Sequence, residues 1–192
     1  GYWLDHAYGL SSQSFGAWLG DDSKGIGVGL VTGILLLVVL FFVIRKSPKR
    51  WSLWLWLALV PIIAFGIFAS PVIVDPLFNK FTPLPSGPLR TQIAQLAAKS
   101  GIPNAPILVA DKSRQTDTTN AYVTGIGSSA RIVLWDTLLK GKNKMPDDQI
   151  VAIVGHEMGH YVLKHIYLGF AEALAGLLIA LPLLQVSAQW LV

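Results

Sequence analysis

The chain has 192 residues, of which 53% are hydrophobic and only 14% are charged. Together with a mean hydropathy of +0.54, this composition indicates a membrane protein rather than an ordinary soluble one. The formal charge is +4 and no basic run is interleaved with aromatic residues, so we expect no nucleic acid partner. The sequence has no cysteine, which excludes disulfides and thiolate metal ligands.

Residues 1–25 predict a loop or amphipathic segment before the membrane region. They lack the basic start and the apolar core of a cleavable signal peptide. The chain starts with Gly1 rather than Met and stops inside an apolar run, so we expect it to be a piece of a longer protein.

Residues 26–74 predict two transmembrane helices. The first, 26–44, is apolar apart from Thr32 and is long enough to cross a hydrocarbon core of about 30 Å. A basic loop at 45–50 separates it from the second, 51–74, whose early tryptophans are typical of a membrane interface. A buried helical hairpin of a soluble protein is the weaker alternative, because both runs are long and uncharged.

The next part of the chain, 75–165, predicts a small α+β domain. It is expected to begin with a proline-rich connector at 75–89 and an amphipathic helix at 89–100. Three short strands at 107–110, 120–126 and 132–135 follow, and a final helix covers 147–165. The apolar pattern then continues into 166–192, which predicts a third transmembrane helix. The final helix of the domain should therefore lie close to the membrane surface.

That helix carries the motif H-E-x-x-H, formed by His156, Glu157 and His160. Positions i and i+4 share a helix face, so both imidazoles can bind one zinc ion, and Glu157 can act as general base towards a zinc-activated water. Apolar residues cover most of the helix circumference, so we expect a buried helix in which a metal satisfies these polar groups. This favours a zinc metalloendopeptidase over paired surface histidines.

A catalytic zinc needs a third protein ligand. Glu172 lies 12 residues beyond His160, about 18 Å along a continuous helix, so we interpret it as a polar residue facing the bundle interior. His165 does not fit the extended zinc motif, since Leu163 and Ile166 stand where that motif needs glycine and histidine. We expect His165 to cap a helix or to orient a ligand.

Two aspartates that end strands, Asp111 and Asp136, could orient a ligand histidine or be ordinary turn carboxylates, and the sequence leaves both open. His6 lies far from the motif in the sequence, and we expect it to have no role in the metal site. We therefore expect the third ligand to be absent from this chain, and expect the chain alone to bind zinc weakly and to be inactive.

Five segments form a combination more specific than the H-E-x-x-H motif: 8–11, 75–81, 120–122, 131–139 and 156–165. Together they resemble the integral-membrane zinc endopeptidases of the CAAX prenyl protease type, a family with relatives among the HtpX heat-shock proteases. The resemblance implies a helical membrane bundle with a small zincin-like domain. It also implies zinc bound by His156 and His160, Glu157 as the general base, and a downstream glutamate as third ligand beyond a further membrane helix.

The resemblance further implies that Asn120, Ala121 and Tyr122 run beside the cleft, where a strand edge could bind the substrate backbone by strand addition. A plain structural strand remains an equal alternative. The implied partners are the lipid bilayer and a peptide or membrane-protein substrate, such as one prenylated at its C-terminus. Quality control of membrane proteins, a non-catalytic scaffold or chaperone, and a transporter piece suggested by Glu172 are the rival functions.

The resemblance implies a multi-pass protein of the bacterial inner membrane or endoplasmic reticulum with a cytosolic catalytic side. The basic loop at 45–50 predicts the opposite orientation by the positive-inside rule. We follow the orientation of the family, because flanking helices can dominate topology.

Overall fold

The computed structural model describes residues 1–68 and 70–190. They form two compact units. The first comprises Gly1–Ser23 and Pro71–His165, and the second comprises Lys24–Ser70 and Ile166–Val192. Ala69, inside the predicted second span, and Leu191 and Val192, at the end of the predicted third, lie outside the described residues.

The helices, in chain order, are α1 (Tyr2–Ala7), α2 (Phe15–Lys46), α3 (Trp51–Phe68), α4 (Ser70–Ile73), α5 (Asp75–Phe78), α6 (Pro88–Lys99), α7 (Asp147–Val162) and α8 (His165–Trp190). The strands are β1 (Phe81–Pro83), β2 (Ile107–Ala110), β3 (Ala121–Thr124) and β4 (Arg131–Trp135). Short 3-10 turns occupy Lys112–Arg114, Gly127–Ser129 and Asp136–Leu138.

Three helices of the described chain are long and apolar enough to cross a membrane, as the sequence predicts. They are α2, α3 and α8, with 32, 18 and 26 residues. Within the second unit, Val43, Leu55 and Leu181 form a small buried cluster. Polar groups also join α3 to α8: Trp56 Nε1 donates to the Leu174 carbonyl at 2.7 Å, and Gln185 Oε1 accepts from the Ser52 amide at 3.1 Å.

One predicted boundary of the membrane helices is wrong. Helix α2 begins at Phe15, inside the segment 1–25 that we expected to be a loop or amphipathic. The glycines of this segment have low helix propensity and therefore obscure the helix in the sequence. The second span was expected to run over 51–74, and the described residues of this segment are helical over Trp51–Phe68 and Ser70–Ile73.

The first unit contains a four-stranded sheet with the order β1-β2-β4-β3. Strands β2 and β4 are parallel, with Ile107 opposite Ile132, whereas the outer strands β1 and β3 pair antiparallel to their neighbours. The sequence did not predict β1, which lies inside the proline-rich connector. A three-residue strand ending in Pro83 is compatible only with a sheet edge, where a missing amide is tolerated.

Helices α6 and α7 cover one face of this sheet. The core between them contains Ile93 from α6, Leu134 from β4 and Val154 from α7, each at most 1% exposed. Helix α7 packs against both α6 and β3. Strand β3 is therefore the edge strand that adjoins the motif helix.

A glycine is required where β3 ends. Gly125 has φ +81°, in the left-handed region, and a Cβ built there would lie 2.2 Å from the Ser129 carbonyl oxygen. The chain can thus turn tightly out of β3 into the short turn before β4 only with glycine at this position.

Candidate metal centre

The motif helix α7 buries one side only. Its buried residues are Ile150, Val154 and Met158, spaced four residues apart on a single face. His156 and His160 lie on a different face, and both are exposed. The expectation of a helix buried around most of its circumference is therefore wrong, because α6 and the sheet cover a single face.

The two motif histidines approach each other through their Nε2 atoms, which are 3.1 Å apart. Two nitrogens bound to one tetrahedral zinc at about 2.0–2.1 Å are about 3.3 Å apart. The donor set is thus compatible with a shared zinc ion, and Glu157, which is half-buried, follows His156 directly. Within residues 1–68 and 70–190, no three His, Cys, Asp or Glu side chains converge as a metal site.

Helix α7 ends at Val162, although the sequence predicted a helix to residue 165. Lys164 adopts φ +57°, and its amide donates to the Tyr161 carbonyl at 3.0 Å. A residue in this left-handed conformation closes the last carbonyls of a helix and redirects the chain. The estimate of about 18 Å between His160 and Glu172 assumed one continuous helix and no longer applies, because α7 and α8 are separate helices.

This turn brings His165 beside a motif histidine. His165 Nδ1 lies 2.6 Å from His160 Nδ1. On a continuous helix the two residues would point about 140° apart, so their contact depends on the left-handed turn at Lys164. When Nε2 of His160 faces a metal, its Nδ1–H can donate to a neutral His165, and such a bond fixes the tautomer of a ligand histidine.

The expected substrate strand lies beside α7, and two of its three residues are used by the fold. Ala121 is buried in the core. The Tyr122 hydroxyl donates to Asp75 Oδ2 at 3.3 Å. Burial of the Tyr122 side chain is the larger cause and the Asp75 carboxylate the smaller cause that raise the pKa of Tyr122 to about 12. Asn120 is exposed just before the strand, and its carbonyl accepts from the Trp135 amide at 2.9 Å.

A buried arginine stands near Tyr122 on the sheet face opposite the helices, and sequence reasoning missed it. Arg131 is 9% exposed, its Nη2 lies 3.8 Å from Asp75 Oδ2, and its guanidinium stacks 5.2 Å from the centre of the Phe81 ring. Its Nε has no hydrogen-bond partner in the described part of the chain. The sequence contains one signal for this buried charge, since an arginine begins a strand that is otherwise apolar.

The two aspartates that the sequence left open have local partners. Asp136 accepts from the Ser113 hydroxyl at 2.6 Å and from the Ser113 amide at 2.7 Å, and it pairs with Lys140 at 3.0 Å. Burial alone would raise the pKa of Asp136, but these hydrogen bonds outweigh it and lower the pKa. Asp111 accepts from the Lys80 amide at 2.6 Å and pairs with Arg114. These contacts favour the turn-carboxylate interpretation for both.

The incidental histidine, His6, bonds locally as well. Its Nδ1 lies 2.8 Å from the Tyr2 carbonyl oxygen inside α1. The structure therefore brings together His156, His160 and His165, with Glu157 on the same helix.

Sequence comparisons match known proteins along most of the chain. Peptidase family M48 matches residues 83–190, and the CAAX prenyl protease N-terminal region, described as five membrane helices, matches residues 2–80. The uncharacterized metalloprotease YhfN of Bacillus subtilis strain 168 is 42% identical over 171 residues, covering 89% of this chain and 39% of that protein. CAAX prenyl protease 1 of Saccharomyces cerevisiae is 36% identical over 166 residues, covering 85% and 36% respectively.

The crystal structure of S. mikatae Ste24p matches with a TM-score of 0.86 at 31% identity, over 95% of this chain and 42% of that one. The chain thus spans about two fifths of the length of these relatives. The comparisons agree with membrane helices combined with a small α/β domain and with an integral membrane protein. Because the peptidase match alone covers more than half of the sequence, the chain belongs to peptidase family M48.

Proposed function

We propose that the chain is part of a membrane-embedded zinc metalloendopeptidase with a zincin-like site. The observation that carries this proposal is the pair of Nε2 atoms of His156 and His160, 3.1 Å apart on one helix with Glu157 directly after the first. Family membership supports a metal, and the donor set of two imidazoles suits zinc.

In this proposal His156 and His160 hold the metal. When bound, zinc supplies a Lewis acid that polarises the scissile carbonyl and acidifies water. Glu157 takes the proton of the attacking water and passes it to the leaving amine. His165 accepts from His160 Nδ1 and holds the ring in the orientation that presents Nε2.

The third ligand in this proposal is a glutamate downstream of the chain. The resemblance that predicts it places this residue beyond a further membrane helix. The described residues supply two histidines on one helix face but no third converging ligand. Weak zinc binding by the isolated chain follows from this arrangement.

The proposed substrate is a peptide bound along β3. Since β3 forms one edge of the sheet beside the motif helix, a substrate strand can pair with its backbone. Of Asn120, Ala121 and Tyr122, Ala121 would then contribute its backbone groups, because the Asn120 carbonyl accepts from the Trp135 amide and Tyr122 faces β4 in the same antiparallel register. Similarity to proteins named CAAX prenyl proteases favours a C-terminally prenylated substrate, and similarity to YhfN keeps membrane-protein quality control as the alternative.

We place the catalytic unit on the cytosolic side. The absence of cysteine allows this to be measured by single-cysteine labelling. In a cysteine-free parent protein, cysteine at the exposed position Asn143 should react with a membrane-impermeant maleimide only after the cell is opened. Labelling of intact cells at that position would reverse the orientation.

The proposed mechanism is tested in the full-length parent protein by Glu157→Gln. We expect cleavage of a peptide substrate to fall by about 100-fold or more, the range for loss of a general base, while bound zinc stays at one equivalent. Asp148→Asn, an equal charge change at an exposed site of the same helix, should leave cleavage unchanged. Retained cleavage by Glu157→Gln would reject the mechanism, and lack of zinc in the unmodified protein would reject the metal site.

The substrate class is tested separately with matched peptides. The same C-terminal peptide with and without a farnesyl group should differ in kcat/KM in favour of the prenylated form. Equal values, together with cleavage of unfolded membrane segments, would favour quality control.

A further inference from the structure

The second unit carries two apolar grooves that end at the same basic position. One groove of about 830 Å³ lies between α2 and α3, where Trp54 lines it. The other, of about 520 Å³, runs along α2 and reaches Arg45. Three residues line both grooves: Val38, Phe42 and Lys46. The apolar side chains of Val38 and Phe42 therefore form a ridge between the grooves, and Lys46 lies at the end of both.

This end of the unit is strongly cationic. Four exposed cations lie within six residues: Arg45, Lys46, Lys49 and Arg50. Residues 24–74 contain no Asp or Glu. In the part of the chain that the structure describes, none of the four is joined to a carboxylate by an ion pair. The grooves therefore open onto uncompensated positive charge.

The length of the second groove is close to the thickness of the hydrocarbon region of one bilayer leaflet. The second groove begins at Ile34 and ends at Lys46, which is about 18 Å of helix rise, close to half of a hydrocarbon core of about 30 Å. Trp54, 52% exposed at the start of α3, marks the interfacial level at the same end. A molecule in the grooves would thus have apolar parts in the hydrocarbon region and a polar part among the cations.

We propose that the two grooves bind one anionic diacyl phospholipid. Its acyl chains lie on either side of the Val38–Phe42 ridge, and its phosphate lies at Arg45 and Lys46. Two grooves joined at a cationic end are complementary to two chains joined at an anionic head. A further membrane helix over the ridge would need an acidic residue at this end to compensate the charge of Lys46. This proposal does not depend on the proposed peptidase activity.

The test is native mass spectrometry of the full-length parent protein in detergent. The protein is stripped of lipid and then given equal amounts of dioleoyl phosphatidylglycerol and dioleoyl phosphatidylcholine. We expect one phosphatidylglycerol to be retained in preference. Lys46→Gln should lower this preference about fivefold, the equivalent of about 1 kcal/mol for one cation at a membrane surface.

Two matched controls distinguish a specific lipid site from a general attraction of anionic lipid to the basic loop. Lys49→Gln removes the same charge from the same loop but lines neither groove, and should change the preference less than twofold. Ala58→Phe fills the groove between α2 and α3 and should weaken binding of the lipid, whereas Ala64→Phe on the same helix should not. Thermal unfolding of each variant checks that it is folded.

Three results would overturn the proposal. Equal losses for Lys46→Gln and Lys49→Gln would indicate a diffuse basic surface. Displacement of the lipid by excess glycerol phosphate would indicate a phosphate site without a role for the grooves. Retention of no phosphatidylglycerol would mean that other parts of the parent protein fill the grooves.

Discussion

At the scale of single residues, the polar cluster on the sheet face opposite the helices should be sensitive to substitution. Tyr122 and Arg131 both approach the carboxylate of Asp75, at 3.3 and 3.8 Å. Removing one member of a buried polar cluster leaves its partners without hydrogen bonds, which costs more than the contact contributes. The cluster also fixes the edge strand that we propose as the substrate strand.

Tyr122→Phe should lower the free energy of unfolding by about 1 kcal/mol near neutral pH, since it removes one hydrogen bond. The pKa of Tyr122 is raised from 10.0 to about 12 in the folded protein. A raised pKa gives stability that is fully present below pH 10 and is lost as pH rises through 12. The difference between the two proteins should therefore shrink over this window, which chemical unfolding in detergent measures.

Absorbance at 295 nm follows the same group directly. Of five tyrosines, one should ionise late in the unmodified protein, and this late step should be missing in Tyr122→Phe. Tyr8→Phe, at a position 73% exposed, serves as the control and should leave the late step in place. A late step that persists in Tyr122→Phe would contradict the assignment.

The motif illustrates how far residues could be predicted from sequence. The spacing of His156 and His160 was enough to predict a shared helix face, and the structure brings their Nε2 atoms together. Burial of these histidines was predicted wrongly, because apolar residues around a helix do not reveal which sides a neighbour covers. Arg131 was missed because the burial of a charged residue depends on tertiary contacts that a local pattern does not contain.

At the scale of elements, the end of α7 determines which histidines meet. Lys164 holds φ +57°, a conformation that costs a residue with a Cβ about 1–2 kcal/mol. The sequence Leu163-Lys164-His165 contains no glycine or proline, so the turn could not be predicted from composition. The long helices and three of the four strands could be predicted, because each is longer or more regularly patterned than β1. The four-residue helix α5 was not predicted, since it lies in the segment expected to be a proline-rich connector.

Substitutions at Lys164 should change the stability of the turn without touching a histidine. Lys164→Gly should raise the unfolding free energy by up to about 1 kcal/mol, since glycine adopts positive φ without strain. Lys164→Val should lower it by about 1–2 kcal/mol and weaken zinc binding, because a β-branched residue disfavours the turn that brings His165 to His160. Thermal unfolding and zinc competition with a chelator, both in the parent protein, measure the two effects.

Lys164→Gln tests whether the backbone conformation of residue 164 or its charge is responsible for the effect on zinc binding. It removes the ammonium group but keeps an unbranched Cβ, so stability and zinc affinity should stay close to those of the unmodified protein. If Gln and Val weaken zinc binding equally, then charge rather than the turn is responsible. If His165→Ala leaves zinc affinity unchanged, then the contact with His160 has no role in holding the metal.

At the scale of the whole molecule, the chain combines three candidate membrane helices with an α/β unit that carries His156 and His160, which we propose as two of the three ligands a catalytic zinc requires. The relatives it matches are more than twice as long. Membrane helices could be predicted from hydropathy and the motif from spacing. The absence of a third ligand was predicted because neither Glu172 nor His165 fits the spacing that a ligand needs, and it stays a prediction.

The 192-residue chain should bind zinc more weakly than its full-length parent. Loss of a partner that merely orients a ligand costs about 10–100-fold in metal affinity, so loss of a ligand should cost at least about 100-fold. We expect chelator competition to show this difference, and expect His156→Ala to abolish the residual binding of the chain. Equal affinities would place the third ligand within these residues, and Glu172→Gln would then identify it, because Glu172 is the only glutamate of the chain besides Glu157.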